Sequence, residues 1–266
     1  MKDCLVVIPT YNEIENIEAV IRKVLSLPAP LDVLIVDDGS PDGTARRVKE
    51  LQQEFATDGL PQRLHLLERK GKLGLGTAYI ASFRWALSEG YSYVCEMDAD
   101  FSHNPDDLVR LYNACVNGGN DVAIGSRYIT GVNVVNWPMG RVLMSYFAGV
   151  YVRFITGMPI MDPTAGFICY GQEVLKAILQ NNIRFVGYAF QIEMKFLAWK
   201  YGYRMTEVPI IFTDRTKGVS KMSTGIFKEA VFGVLQMKVG SFFRRYIPPS
   251  KQPVPVPTQP ATTEAV

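Results

Sequence analysis

Cys4-Leu5-Val6-Val7-Ile8-Pro9-Thr10-Tyr11-Asn12-Glu13 opens the chain with an unbroken apolar run that a proline closes. A run apolar at every position, rather than every second one, is the pattern of a parallel strand buried on both faces. Apolar residues then fall at Ile14, Ile17, Val20, Ile21, Val24 and Leu25. This helical spacing predicts a helix over 13–27, which Pro28 and Pro30 stop. A second buried strand follows at 32–36, closed by Asp37-Asp38-Gly39-Ser40, with a helix at 44–55. The same alternation predicts strands at 63–67, 91–97 and 121–124 and helices at 76–88 and 105–115. Strands and helices alternating through short connections predict a mostly parallel sheet flanked by helices, an α/β fold. In such sheets ligands bind at the carboxyl ends of the strands, and every motif below falls there. After Ser126 the pattern changes to longer helices, at 140–156, 172–179, 188–201 and 225–246, with one strand at 205–212 and a polar stretch at 213–224. Residues 247–266, rich in Pro and Thr, have little to bury and are expected to be a disordered tail.

The composition excludes several classes. The 266 residues are 48% hydrophobic, enough for a sizeable core. The 28 basic and 26 acidic residues leave a formal charge of +2, so no global field recruits nucleic acid. The late basic residues (Arg204, Arg215, Lys217, Lys221, Lys228, Lys238, Arg244, Arg245) suit either a solvated face or a phosphate-binding one. Cys4, Cys95, Cys115 and Cys169 are far apart in sequence with no CxxC, and read as buried free thiols in a reducing compartment. The start Met1-Lys2-Asp3 runs directly into the first strand, so a signal peptide is not expected. The best candidate membrane span, 142–161, carries Arg153 at its centre, where an arginine costs about 2.5–3.5 kcal/mol. Membrane contact is therefore expected to be peripheral.

The strongest chemical signal is Glu96-Met97-Asp98-Ala99-Asp100-Phe101-Ser102-His103. Two aspartates two positions apart at a strand end would project to one side. They would offer hard oxygens to Mg²⁺ or Mn²⁺, which clamps a diphosphate. Helix capping is the competing role, but Ser102 or Asn104 suits it better. A phosphatase of the haloacid dehalogenase type would carry such a pair after its first strand; here it follows the fourth. Asp38 at the end of the second strand suits a ribose or base edge, whereas for Asp37 ligand binding and a tight turn are equally open. Tyr11 could stack on a base and Glu13 could accept hydrogen bonds from one, or both could only pack and cap. No GxGxxG follows the first strand, which argues against a nicotinamide-dependent oxidoreductase. Lys70-Gly71-Lys72-Leu73-Gly74-Leu75-Gly76 fits neither that fingerprint nor a Walker loop, but offers a flexible phosphate-side loop.

Taken in order, Pro9-Thr10-Tyr11-Asn12-Glu13, Val36-Asp37-Asp38-Gly39-Ser40, Gly74-Leu75-Gly76-Thr77-Ala78-Tyr79, Met97-Asp98-Ala99-Asp100-Phe101-Ser102-His103 and Gly125-Ser126-Arg127-Tyr128 form a specific set. With Asn136-Trp137-Pro138, Asp162-Pro163-Thr164-Ala165-Gly166-Phe167 and Arg215-Thr216-Lys217-Gly218-Val219-Ser220-Lys221-Met222, the sequence resembles the dolichyl-phosphate (polyprenyl-phosphate) mannosyltransferases of glycosyltransferase family 2. The likeness runs from Lys2 to about Arg245. It implies a Rossmann-like GT-A fold with C-terminal amphipathic helices over 1–246, in which 1–126 holds the nucleotide sugar and 127–246 the acceptor. It implies that Pro9, Tyr11, Glu13, Val36 and Asp38 cradle the guanosine of GDP-mannose. Asp98, Ala99 and Asp100 would hold the sugar diphosphate and its metal, with Asp98, Asp100 and Arg127 as catalytic residues. Arg127, Arg215 and Lys221 would contact phosphates, and Arg141 and Ser145 would face the acceptor phosphate. Two departures stand out: Ser102 replaces a glutamine that is a metal ligand in some members, and Thr164-Ala165-Gly166 replaces the usual threonine-serine-glycine. Many members append transmembrane helices after the catalytic domain; none is expected here. Location on the cytoplasmic face of a membrane is therefore expected, with room for a membrane-anchoring partner protein.

Chemically, a phosphate monoester with a second pKa of about 6 is largely dianionic at neutral pH and needs no strong general base. The burden falls on neutralising two anionic partners, for which a divalent metal and fixed arginines are suited. A single in-line displacement would invert the anomeric carbon. The lipid could arrive along 225–246, whose Ile226, Phe227, Ala230, Val231, Val234 and Leu235 form a stripe near Phe242 and Phe243, or along 140–156; packing of that stripe on the protein core is the equally open alternative. The competing readings are the same fold with another donor such as UDP-glucose, an oxidoreductase, and a non-catalytic regulatory subunit.

Overall fold

Alternate residues of the first strand face two different helical layers. In β1 (Lys2–Thr10), Leu5 and Val7 enter one core while Cys4, Val6 and Ile8 enter the other, and all are fully buried. β2 (Leu31–Asp37) divides in the same way, with Leu34 and Val36 opposite Val33 and Ile35. That is why these segments read as continuous apolar runs. The computed structural model describes residues 2–57, 63–187, 189–214 and 225–247, with the backbone alone for 225–230. Arg215 and Lys221, most of the polar stretch at 213–224 and the tail from Pro248 lie outside the described residues.

The remaining elements are α1 (Ile17–Leu25), α2 (Thr44–Thr57), β3 (Leu64–Glu68), α3 (Leu75–Ser88), β4 (Tyr91–Glu96), α4 (Asp107–Val116) and β5 (Val122–Ser126). Then come β6 (Val134–Val135), α5 (Met139–Thr156), β7 (Ile168–Gly171), α6 (Gln172–Ile178), α7 (Ala189–Lys200), β8 (Met205–Pro209), β9 (Phe212–Thr213) and α8 (Gly225–Phe242). The main sheet runs β3-β2-β1-β4-β7-β5-β8, parallel except for β7, which is antiparallel to both neighbours. One core packs α1, α2 and α4 on one face; the other packs α3, α6 and α7 on the opposite face.

Four expectations are corrected. The strand β7 was not foreseen: it is only four residues long and follows a loop, so no periodicity marks it. The strand expected at 205–212 is two elements. β8 pairs with β5, and β9 leaves to pair with β6 in a separate two-stranded sheet. The first helix begins at Ile17 rather than 13, because Asn12 is left-handed (φ 56°) and the chain turns through Glu13–Asn16. The last helix ends at Phe242 rather than 246.

The four cysteines are free and buried, as expected. The fold nevertheless gathers them: Cys4 and Cys95 Sγ atoms are 3.7 Å apart, and Cys95 and Cys169 are register partners across β4 and β7.

Candidate active site

The carboxyl ends of β1 and β2 lie side by side, with Pro9 in register with Val36 and Thr10 with Asp37. Here the structure separates the two neighbouring aspartates. Asp37 accepts from the Thr10 hydroxyl (3.0 Å) and the Ser40 backbone N–H (2.8 Å), so it fastens the turn. Asp38 instead faces Arg69, whose Nη1 lies 3.3 Å from its Oδ1. Neither of those buried atoms has a hydrogen-bond partner. Burial pushes the Asp38 carboxyl up, and the Arg69 charge only partly offsets it. Polar atoms buried without hydrogen bonds are costly, and here the ion pair alone offsets that cost. Arg69 Nη2 is anchored on the Thr77 hydroxyl at 2.6 Å. Gly39 (φ 71°) packs on the next loop, where a Cβ would lie 3.2 Å from the Gly71 nitrogen. Gly39 thus lets the 37–40 turn and the 69–74 loop approach closely. On its rim, Tyr11 is half-buried with Lys72 Nζ 5.4 Å from its ring centroid. Glu13 is buried and accepts from Asn16 Nδ2 at 3.3 Å.

Asp98 and Asp100 follow β4, which ends at Glu96, so a loop and not strand alternation sets their directions. Phe101 turns left-handed (φ 59°), and Asp100 Oδ1 accepts the Ser102 N–H at 3.0 Å. Asp100 is buried, whereas the Asp98 side chain is 43% exposed. The Asp98 N–H donates to His103 Nδ1 at 3.3 Å. His103 stacks on Phe167 (4.7 Å) and meets Phe212 edge-on (5.3 Å). Burial pushes its pKa down to about 4, so at neutral pH the ring is uncharged and Nδ1 is an acceptor. His103 therefore orients the loop. Asn104 Oδ1 accepts the Asp106 N–H just before α4, whose N-cap residue Asp106 makes no side-chain capping bond, so neither Asp98 nor Asp100 caps that helix.

Asp98 and Asp100 are hard oxygen donors suited to Mg²⁺ or Mn²⁺. Among the described residues no group of three or more His, Cys, Asp or Glu converges, so further ligands would come from phosphate oxygens and water. Ser102, standing where some relatives have glutamine, has a buried hydroxyl without a hydrogen-bond partner. The donor chemistry of this set fits a divalent metal.

Arg127, expected to touch phosphates, has its side chain buried against Asp162, with Nε to Oδ2 and Nη2 to Oδ1 both at 2.7 Å. Nη2 also reaches the Thr164 hydroxyl at 2.8 Å, and the Arg127 N–H donates to Asp162 Oδ2 at 3.0 Å. Asp162 is itself fixed from below, because Glu207 on β8 accepts the N–H groups of Met161 and Asp162. Buried Lys195 on α7 donates to the Ala165 carbonyl at 2.6 Å, and burial pulls its pKa down to about 7. The 161–167 loop is thus tied to β5, β8 and α7, and it carries Phe167, the platform under His103. The residues present make Arg127 a brace in this chain of contacts.

On the acceptor side, Arg141 Nη1 pairs with Asp214 Oδ1 at 2.9 Å, and its guanidinium lies 4.0 Å from the Trp137 ring centroid. Ser145 Oγ accepts from the Tyr128 hydroxyl at 2.8 Å. Arg69, Asp162, Lys195, Glu207 and Asp214 were not singled out as site residues from the sequence. For Arg69 a signal existed, since it immediately precedes the glycine-rich loop; the others depend on partners distant in sequence.

Acidic loops end β2 and β4, the glycine-rich loop after β3 packs on the first of them, and a basic, aromatic corner lies beyond. The sequence matches "Glycosyl transferase family 2" over residues 5–179, and the chain belongs to that family. It is 47% identical to the polyprenol monophosphomannose synthase of Mycolicibacterium smegmatis over 232 residues, covering 87% of this chain and 85% of that one. It is 43% identical to the undecaprenyl-phosphate mannosyltransferase of Micrococcus luteus over 230 residues, 86% of this chain and 91% of the other. Among solved structures, the mannosyltransferase PcManGT of Pyrobaculum calidifontis, in complex with GDP-Man and Mn²⁺, shares the fold at 15% identity. The match has a TM-score of 0.52 and covers 90% of this chain and 74% of that one.

Proposed function

We propose that this chain transfers mannose from GDP-mannose to a polyprenyl (dolichyl-type) phosphate. The names of the two relatives support the acceptor class and the sugar. The observation that carries the lipid acceptor is the surface beside Arg141. From Met139, α5 leaves Leu143, Met144, Phe147, Val150 and Phe154 exposed, and Phe154 is 86% accessible. A phosphate-binding corner at the head of an exposed apolar helix matches a molecule with an anionic head and a hydrocarbon tail.

In this reading residues 1–126 hold the donor. Asp38, Arg69, Tyr11 and Glu13, with Pro9 and Val36 behind them, enclose the nucleoside. Asp98 and Asp100, joined by the Ala99 backbone, would hold Mg²⁺ or Mn²⁺ beside the diphosphate, where such an ion would supply charge stabilisation. Residues 127–246 hold the acceptor, with Arg141 and Ser145 at its phosphate. Arg215 and Lys221 are proposed as further phosphate contacts on the resemblance alone. The acceptor's own oxygen is the nucleophile, displacing the diphosphate with inversion, so no side chain need remove a proton. A donor panel tests the sugar and base: GDP-mannose should be used well above UDP-glucose, and the reverse preference would overturn that assignment.

Among the described residues no helix is long and apolar enough to cross a membrane. We propose that α5 and α8 lie on the membrane surface at its cytoplasmic side. The two helices are joined by the Tyr151 hydroxyl to the Val231 carbonyl (2.9 Å) and by Lys238 Nζ to the Thr156 carbonyl (3.1 Å). Together they expose Phe147, Phe154, Phe232, Leu235, Val239, Phe242 and Phe243. This revises the stripe expected on α8, because Val234 faces the core while Leu235 is exposed. Lys238 serves the end of α5, which leaves Arg244 and Arg245 as the exposed cations described there. Replacing both Phe147 and Phe154 by Ser should weaken binding to anionic vesicles about tenfold or more, since burying one such ring contributes roughly 1.5–3 kcal/mol. Turnover of a short, water-soluble polyprenyl phosphate should fall far less. Unchanged sedimentation with vesicles would place the membrane face elsewhere.

A further inference from the structure

The carboxylate of Asp214 holds the guanidinium that the acceptor phosphate would need. Arg141 Nη1 donates to Asp214 Oδ1 at 2.9 Å, and both side chains are about one-third exposed, at 35% and 31%. Both partners are held in place. The Asp214 N–H donates to the Val135 carbonyl at 3.0 Å, directly after β9, and the Arg141 N–H donates to the Pro138 carbonyl at 2.9 Å at the head of α5. Arg141 stacks on Trp137, which itself packs edge-on against Phe212 at 5.3 Å. The indole Nε1–H of Trp137 is buried with no acceptor among the described residues. The corner thus presents an arginine fork and an indole donor lacking an acceptor, with one carboxylate already on the arginine.

We propose that Asp214 is an internal competitor for the acceptor phosphate, standing on Arg141 until a dianionic phosphate monoester displaces it. This rests on the reading of Arg141 as an acceptor-phosphate contact. The physical argument is one of charge. A partly exposed ion pair is weak because solvent screens it. A phosphate dianion brings twice the charge and two parallel acceptor oxygens to the same fork. The exchange therefore favours the dianion, while the carboxylate raises the concentration at which any anion occupies the corner. Asp214 in this role is a positioning and selectivity residue; it touches Arg141 and not the reacting atoms.

The test compares wild type with Asp214→Asn and Asp214→Glu, using a short-chain polyprenyl phosphate as acceptor and inorganic phosphate as competing anion. In Asp214→Asn the KM for the acceptor should fall about three- to fivefold, the scale of an exposed ion pair. Inhibition by inorganic phosphate should strengthen in step, kcat should change less than KM, and the KM for GDP-mannose should stay within about twofold. Asp214→Glu keeps the charge and should restore acceptor KM toward wild type. An acceptor KM in Asp214→Asn that is unchanged or raised, while wild type transfers mannose, overturns this inference and leaves the functional reading standing. If wild type transfers no mannose to the acceptor, the functional reading fails and this inference fails with it.

Discussion

Asp100→Ala should lower mannose transfer by well over tenfold at saturating metal while the protein keeps its circular dichroism and melting temperature. Asp100 is buried in the turn after β4 with one oxygen already fixed on the Ser102 N–H, so its carboxylate is held in place before any ligand arrives. A group fixed in advance costs little reorganisation when charge develops on the leaving diphosphate. Losing one hard-oxygen ligand should remove several kcal/mol of transition-state stabilisation, and about 1.4 kcal/mol is already tenfold. Asp98→Ala should be nearly as damaging, although its side chain is more exposed. Retention of more than a tenth of wild-type turnover by Asp100→Ala would remove it from the metal site.

Arg127→Ala should act first on stability. It leaves the Asp162 carboxylate buried without its counter-charge, a change that costs about 3–5 kcal/mol when one partner of a buried pair is removed. In a chain of this size that corresponds to a fall in Tm on the order of 10 °C. The pH dependence has a definite sign. Burial alone would raise the Asp162 pKa, but the charge and hydrogen bonds of Arg127 outweigh it and hold the carboxyl below its usual value. A depressed carboxyl contributes stability that is present above the unfolded value of about 3.9 and is lost as pH falls through the lower folded value. In Arg127→Ala the unpaired buried carboxyl should shift upward, so that variant should gain stability, relative to wild type, between pH 7 and 5. Thermal melts of Arg127→Ala, Asp162→Ala and the double variant check this, and the double variant should lose less than the sum of the singles. An unchanged Tm with lost transfer would instead make Arg127 a direct phosphate contact.

The sheet was legible because its central strands are buried on both faces, which writes continuous apolar runs such as Cys4–Ile8 into the sequence. The position of Asp38 and of the Asp98/Asp100 pair followed, since loops after such strands are where ligands bind. What escaped were pairings made between distant residues. Arg127 reads as a free cation until Asp162, 35 residues away, is folded against it. Arg69 and Asp38 meet only when the glycine loop closes on the β2 turn. The antiparallel strand β7 enters between β4 and β5 with four residues and no periodicity of its own. On α5, apolar residues occur on every side, so the sequence alone did not reveal how few of them the core takes: of that helix only Gly149, Val152 and Thr156 are buried.

The central claim is tested most directly by incubating the protein with GDP-mannose labelled in the sugar and a polyprenyl phosphate, with and without Mn²⁺. The account predicts that label moves to the lipid as a single mannosyl phosphodiester of inverted configuration, that chelation of the metal stops the transfer, and that Asp100→Ala fails at any metal concentration. Label that stays in the nucleotide sugar or is released only as free mannose in the presence of Mn²⁺, or transfer undiminished after chelation, would contradict it.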